Sequence, residues 1–87
     1  MYSIRTLRRK AAAAGYDLHY GWKRFSSGQI WRDPFNGDYK ERGFSLIDIR
    51  INGYVLGTDN YGNINTGTQA EVEEFLRDVY KANGMTF

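Results

Sequence analysis

Hydrophobic and polar residues alternate most regularly over residues 43–58, a pattern that predicts two antiparallel strands. The Asn52-Gly53 dipeptide between them suits the positive φ angles of a two-residue type I′ turn. Such a turn fixes the register, so we expect Ile51 to face Tyr54 across the hairpin. The predicted buried face then carries Ile47, Ile49, Ile51, Tyr54 and Leu56. The opposite face, predicted to meet solvent or a partner, carries Phe44, Leu46, Asp48, Arg50 and Val55.

Apolar residues at helical spacing predict one helix at each end of the chain. The first begins at the N-cap Ser3 and runs to about Ala14, where Gly15 is suited to end it. Its apolar stripe consists of Ile4, Leu7, Ala11 and Ala14. Because an isolated hairpin is only marginally stable in water, we expect the terminal helices to cover its buried face.

The second helix is predicted to begin at Thr68, with Glu71 three residues later completing a capping box. Asn83 and Gly84 are predicted to end it. The predicted apolar face consists of Val72, Phe75, Leu76 and Val79. The predicted exposed face is acidic and consists of Glu71, Glu73, Glu74 and Asp78.

Between the first helix and the hairpin, alternation over residues 16–23 predicts a strand whose large side chains face inward. These inward residues are Tyr16, Leu18, Tyr20 and Trp22. Residues 29–32 predict a short further strand, and residues 33–38 and 59–67 predict loops. The chain is therefore predicted to be one α+β domain over residues 1–87. Its antiparallel sheet of three to four strands is covered on one face by the N- and C-terminal helices.

Composition narrows the possible functions. The chain has no cysteine, which excludes disulfides, thiolate metal sites and cysteine nucleophiles. No apolar run approaches the roughly 20 residues of a membrane-spanning helix, and the start of the chain lacks a signal-peptide pattern, so we expect a cytoplasmic protein. Residues 1–50 hold ten Lys/Arg against five Asp/Glu, whereas residues 51–87 hold two against five. This asymmetry predicts one basic and one acidic surface.

The candidate chemistry is sparse. No metal-binding, phosphate-binding or nucleophile motif occurs, so we expect no catalytic residue, no metal and no cofactor. The single histidine, His19, follows Asp17 by two residues on one face of the predicted strand, where the side chains can touch. An Asp-supported imidazole is one ingredient of acid–base catalysis. A lone surface pair is more often an ordinary polar sheet face, and we interpret it in that way.

Binding to another protein is the favoured function. The fourteen aromatic residues are more than so small a core can bury. Several lie in or beside predicted loops together with arginine, and these residue types are enriched at interface hot spots. The predicted partner-binding residues are Trp31, Arg32, Phe35, Tyr39, Arg42 and Tyr61. The alternative for Trp31 and Phe35 is that they fold back and cap the core.

Nucleic-acid binding is the runner-up, because aromatic side chains also stack on unpaired bases. Its predicted residues are Arg5, Arg8, Arg9, Lys23, Arg24 and Arg32. Basic residues late in the first helix also favour the negative end of the helix dipole, so a structural role for Arg8 and Arg9 stays open.

Three segments, LRRKAAAAGYDL, GFSLIDIRINGYVLG and TQAEVEEFL, resemble a type of small protein common in phage and mobile-element genomes. Those proteins have a basic helix ending in Gly-Tyr, a short sheet and a closing helix. The residues that match the sheet and closing-helix motifs are Asp48, Asn52, Val55, Gly57, Val72, Glu73, Phe75 and Leu76. The family has no general assigned activity, but such proteins include inhibitors of host defence machinery, CRISPR effectors among them. The resemblance therefore implies a phage or mobile-element inhibitor or adaptor with a host or phage protein as its partner.

The element order also resembles the double-stranded-RNA-binding fold, including the HicA-type toxin ribonucleases. Those toxins carry a catalytic histidine in a Gly-Ser-His segment after the first strand. At the comparable place this chain has Gly28-Gln29-Ile30-Trp31-Arg32, with no histidine. The departure argues against ribonuclease activity, and we expect a protein that is not an enzyme.

Overall fold

The computed structural model describes residues 2–25, 27 and 41–87. These residues form two helices and a three-stranded antiparallel sheet, which confirms the predicted α+β class. The elements are α1 (Ile4–Ala13), β1 (Tyr16–Trp22), β2 (Arg42–Asp48), β3 (Gly53–Leu56) and α2 (Gln69–Ala82). The strand order is β1-β2-β3. The strand predicted at residues 29–32 and the loop predicted at residues 33–38 lie outside the described residues.

Helix α1 begins and ends as its sequence predicts. The Ser3 side chain accepts a hydrogen bond from the backbone N–H of Thr6 (3.2 Å), which satisfies one unpaired donor of the first turn. Ala14 is the C-cap, and Gly15 follows with a φ of +90°, a conformation that favours glycine. Leu7 and Ala11 are fully buried, so the predicted stripe does face the core.

Helix α2 confirms its predicted cap but corrects its acidic face. Thr68 and Glu71 form the reciprocal capping box, with the Glu71 N–H donating to the Thr68 hydroxyl at 3.2 Å. Glu73, predicted to be exposed, is buried, and its carboxylate lies 3.9 Å from the Arg77 guanidinium one turn later. The prediction was wrong because Glu73 lies three residues before Leu76 and seven before Tyr80, so it shares the buried side of the helix with them.

Strands β1 and β2 pair along their whole length, and side chains on one face of this pair belong to the core. Leu18 lies opposite Leu46, and Tyr20 lies opposite Phe44. The two helices pack on this side of the sheet, which we call the helix-covered face. The buried cluster consists of Leu7, Ala11, Tyr16, Leu18, Phe44, Leu46, Val72 and Leu76. The predicted inward face of β1 is confirmed for Tyr16 and Leu18, which are buried, and for Tyr20, which packs against the cluster, while Trp22 is only half-buried.

The β2–β3 hairpin differs from the prediction in its turn and register. Asp48 lies opposite Gly53 and Ile47 opposite Tyr54, so the connection is a four-residue loop over residues 49–52. The register shifts by one residue between Ile47 and Leu46, which lies opposite Leu56. The Asp48 carboxylate accepts a hydrogen bond from the Arg50 backbone N–H (3.0 Å) and starts this loop early. Asn52 has a φ of +51°, whereas Gly53 lies in β3, so the two-residue type I′ turn does not form.

The buried and exposed faces of the hairpin are also the reverse of those predicted. Phe44 and Leu46, predicted to lie on the open face, are core residues. Ile49 and Ile51, predicted to be buried, are 57% and 71% exposed, and Tyr54 is 46% exposed. Side chains alternate along a strand, so the packing of Phe44 and Leu46 against the helices turns the residues between them to the outer face. Ile49 and Ile51 lie in the loop after β2.

The Asn- and Gly-rich loop covers part of the other side of the sheet, which we call the outer face. Gly67 pairs with Phe44, and Ile64 pairs with Arg24 and Thr58. The buried Asn65 accepts a hydrogen bond from Ser45 Oγ (2.8 Å) and donates one to the Trp22 carbonyl (3.1 Å). The predicted surface loop is therefore hydrogen-bonded to the sheet at several points.

Candidate functional site

The predicted partner-binding surface is described only in part. Trp31, Arg32, Phe35 and Tyr39 lie outside the described residues. The Arg42 guanidinium lies over the Trp22 ring, 4.5 Å from its centroid, on the helix-covered face of the sheet. Tyr61 is 82% exposed and belongs to the loop of the outer face. No hydrogen bond or ring contact joins Arg42 to Tyr61 within the described chain, and the predicted surface stays a prediction.

Asp59 fixes the turn that presents Tyr61. Its carboxylate accepts hydrogen bonds from the backbone N–H groups of Tyr61 (2.9 Å) and Asn63 (3.0 Å) and from the Asn63 side chain (2.7 Å). Desolvation raises the pKa of Asp59, but these hydrogen bonds outweigh it and leave the pKa below its usual value. The exposed ring of Tyr61 therefore projects from a hydrogen-bonded turn.

A second exposed surface comes from the β2–β3 hairpin. We define the hairpin tip as Ile49, Ile51, Tyr54 and Val55, whose side chains are between 38% and 71% exposed. Four large apolar side chains thus lie open within residues 49–55. Single exposed apolar residues are ordinary, whereas several together mark a surface that contacts something else. Sequence reasoning noticed these residues but assigned most of them to the core.

A charged pair holds the hairpin tip in shape. The Arg50 guanidinium donates to both Asp48 carboxylate oxygens, at 3.3 Å from Nε and 3.2 Å from Nη2. These bonds from Arg50, with the bond from its backbone N–H, hold the pKa of Asp48 below its usual value despite partial desolvation. The pair of residues two apart, Asp48 and Arg50, was the sequence signal that could have indicated the four-residue loop.

A groove runs between α1 and β1, and we call it the α1–β1 groove. It encloses about 530 Å³ and is lined by Arg8, Ala12 and residues 16–20. Within it, His19 Nε2 lies 2.9 Å from the Asp17 carboxylate, so the predicted contact between these side chains is confirmed. Both side chains are about half exposed, at 46% and 58%.

The basic residues predicted to bind nucleic acid fall into two groups. Arg5, Arg8 and Arg9 are exposed on α1, and no ion pair engages them within the described chain. Lys23 lies 2.7 Å from the Glu41 carboxylate. The Arg24 backbone pairs with Ile64, and Arg32 lies outside the described residues. The structure thus places one compact set of arginines on one helix.

No family model, curated protein or solved structure matches this chain. Over the described residues, neither helix has the length and apolar content needed to cross a membrane. The same residues contain no group of three or more His, Cys, Asp or Glu side chains placed to hold a metal ion.

Proposed function

We propose that this protein is a non-catalytic protein-binding module that contacts its partner through the hairpin tip. The observation that supports the proposal is the exposure of Ile49, Ile51 and Tyr54 together within one hairpin. Burial of such side chains is the main favourable contribution to protein association. Aromatic residues are also enriched at interface hot spots.

The partner that fits the hairpin tip is a different protein with an apolar cleft. A projecting tip needs a concave complement, and two grooves of the described chain are lined by charged residues. The α1–β1 groove contains Arg8, Asp17 and His19. A groove beside α2 is lined by Leu56, Glu71, Glu74, Phe75 and Asp78. Neither provides an apolar complement for the tip of a second copy.

The cellular setting of this binding follows from the sequence resemblance alone. Small phage and mobile-element proteins of similar sequence pattern include inhibitors of host defence machinery. We therefore propose a cytoplasmic inhibitor or adaptor whose partner is a host or phage protein, with CRISPR effectors as the first class of partner to test.

The test is affinity capture from a nuclease-treated bacterial lysate, followed by reconstitution with the purified captured protein. Wild type is compared with Ile49→Asp/Ile51→Asp and with Tyr61→Ala, which removes an exposed aromatic away from the tip. We expect the tip variant to weaken reconstituted binding at least tenfold, because charge at a buried interface is poorly solvated. Asn60→Asp/Thr58→Asp is the control for the added negative charge, and it should bind as wild type does.

Two outcomes would overturn the proposal. One is tip-variant binding equal to that of wild type. The other is concentration-dependent self-association of wild type, measured by light scattering, that the tip variant abolishes. That second result would make the hairpin tip a contact between copies of this chain.

A second candidate function, nucleic-acid binding, is favoured by the three exposed arginines of α1, a helix that contains no acidic residue. Phosphate contacts release counterions, so binding should weaken steeply as salt rises. The measurement is the affinity for a short duplex RNA at several salt concentrations, with Arg5→Gln/Arg9→Gln as the variant. Binding that hardly changes with salt would exclude this candidate.

A further inference from the structure

The outer edge of β1 carries backbone groups that no described residue pairs with. Hydrogen bonds from Lys23 N to Glu41 O (2.9 Å) and from Ile49 N to Gly15 O (3.1 Å) flank the β1–β2 ladder. Because bonded pairs recur at every second residue of an antiparallel ladder, the odd-numbered residues of β1 bond to β2. The even-numbered residues direct their N–H and C=O groups away from β2. Three of them, Tyr16, Leu18 and Tyr20, have no backbone partner among the described residues on that edge, whereas the Trp22 carbonyl accepts a hydrogen bond from the Asn65 side chain.

An exposed strand edge accepts another strand only where there is room for it. The α1–β1 groove lies along this edge, and its helix wall is formed by Arg8 and Ala12. Ala12 is small and exposed, so it leaves space above the edge. A groove between a helix and an unpaired strand edge is the geometry in which extended peptides add to a sheet.

The two walls of the groove differ in charge. The helix wall presents Arg8, and Arg5 and Arg9 add positive charge on the same helix. The other wall carries the Asp17 carboxylate, which is bonded to His19. Acidic side chains are therefore favoured beside α1 and disfavoured beside Asp17.

We propose that the α1–β1 groove binds an extended segment of another protein as an added β-strand. Successive side chains of a strand point to opposite sides, so such a segment has acidic residues at alternate positions, facing α1. The residues between them are uncharged and face Asp17 and His19. This site is separate from the hairpin tip, and the inference does not depend on the function proposed for the tip.

The test titrates the full chain, labelled with ¹⁵N, with the eight-residue peptide TETETETE and records amide chemical shifts. A peptide of the same composition in two blocks, EEEETTTT, is the control for charge without alternation. We expect the alternating peptide to shift the outward amides of Leu18 and Tyr20. We also expect it to bind at least about threefold more tightly than the block peptide, because only alternation keeps glutamate away from Asp17.

Two charge-reversal variants on α1 distinguish peptide binding in the groove from general electrostatic attraction to the helix. Arg8→Glu and Arg9→Glu change the net charge equally, but only Arg8 lines the groove. Loss of a charge-assisted contact predicts about tenfold weaker peptide binding for Arg8→Glu. A screened surface charge predicts less than about threefold weakening for Arg9→Glu. Arg8→Gln replaces Arg8→Glu if circular dichroism shows that the reversal disturbs folding.

Three results would overturn the inference. They are equal effects of the Arg8 and Arg9 substitutions, equal binding of the two peptides, and peptide-induced shifts that spare the β1 amides. Tighter binding of an eight-nucleotide oligothymidylate, with shifts confined to α1, would assign these arginines to nucleic acid instead.

Discussion

The two faces of the sheet are stabilised in different ways. The helix-covered face is a continuous apolar layer in which Leu7, Leu46 and Leu76 are fully buried. The outer face has no such layer in the described chain. At one end of the outer face, the Asn- and Gly-rich loop covers the sheet and is held by the hydrogen bond between Ser45 and Asn65. At the other end, the side chains of the hairpin tip are exposed. A chain of 87 residues is small, and a small chain has little apolar surface with which to build a second buried layer.

The comparison shows that apolar residues in the same hairpin have opposite roles. Leu46 and Ile51 lie five residues apart in similar sequence surroundings, yet one is fully buried and the other is 71% exposed. Leu46 lies in β2 and packs in the core cluster against the helices, whereas Ile51 lies in the loop that begins with the Asp48–Arg50 pair. Hydrophobicity along the sequence does not distinguish them.

Truncation in the apolar layer should give the largest effect. Leu46→Ala leaves a cavity in the core, and we expect a loss of about 2–5 kcal/mol in the free energy of unfolding. Ile51→Ala removes an exposed side chain and should change that free energy by less than about 0.5 kcal/mol. Urea unfolding measures both. Equal losses for the two variants would contradict the observed register.

The close approach of Gly57, the residue after β3, to β2 should give an intermediate effect, and Gly15 is the matched comparison. Both have a φ near +90°, so alanine is strained at either position. A Cβ at Gly57 would overlap the Phe44 carbonyl oxygen, whereas a Cβ at Gly15 meets nothing within 4 Å.

We therefore expect Gly57→Ala to reduce the free energy of unfolding by about 1–3 kcal/mol more than Gly15→Ala. Chemical denaturation of the two variants measures the difference. If both substitutions cost the same, Gly57 does not lie as close to β2 as described.

The first and last helices could be predicted from the sequence because their signals are local. Ser3, Gly15, Thr68 and Glu71 cap their own helices, and each acts within one turn. The inward face of β1 was also predictable, since alternation over residues 16–22 has a single apolar side.

The hairpin register could not be predicted from the same kind of signal, because two local signals compete there. Asn52-Gly53 favours a two-residue turn, whereas Asp48 favours an earlier loop by accepting the Arg50 N–H. Phe44 and Leu46 also pack against the helices, which are distant in the sequence, so a short sequence segment does not reveal this contribution. The hairpin tip was missed as a candidate site for this reason alone.

The Asp48–Arg50 pair should give the smallest effect, visible as a change in pH dependence. The hydrogen bonds from Arg50 lower the pKa of Asp48 from its ordinary value of 3.8, so the folded protein binds this proton less readily than the unfolded chain does. Its contribution to stability is therefore fully present above pH 3.8 and is lost as the pH falls through the lower, folded-state pKa.

Asp48→Asn should lower the free energy of unfolding at neutral pH. It should also reduce the loss of that free energy as the pH falls, as measured by urea unfolding between pH 2 and 7. Arg50→Gln removes the other partner and should reproduce most of the change. If the free energy of unfolding falls more steeply with decreasing pH in Asp48→Asn than in wild type, the pair does not stabilise the hairpin.

The most direct test of the exposed hairpin tip is thermal unfolding of Ile49→Asp/Ile51→Asp beside Leu46→Asp, followed by circular dichroism. We predict that the tip variant stays folded, with a Tm within about 5 °C of wild type, because an exposed substitution changes stability little. Leu46→Asp should be unfolded at room temperature, since it places a carboxylate in the apolar layer. A tip variant that unfolds while Leu46→Asp stays folded would contradict the assignment of faces and would favour the predicted two-residue turn instead.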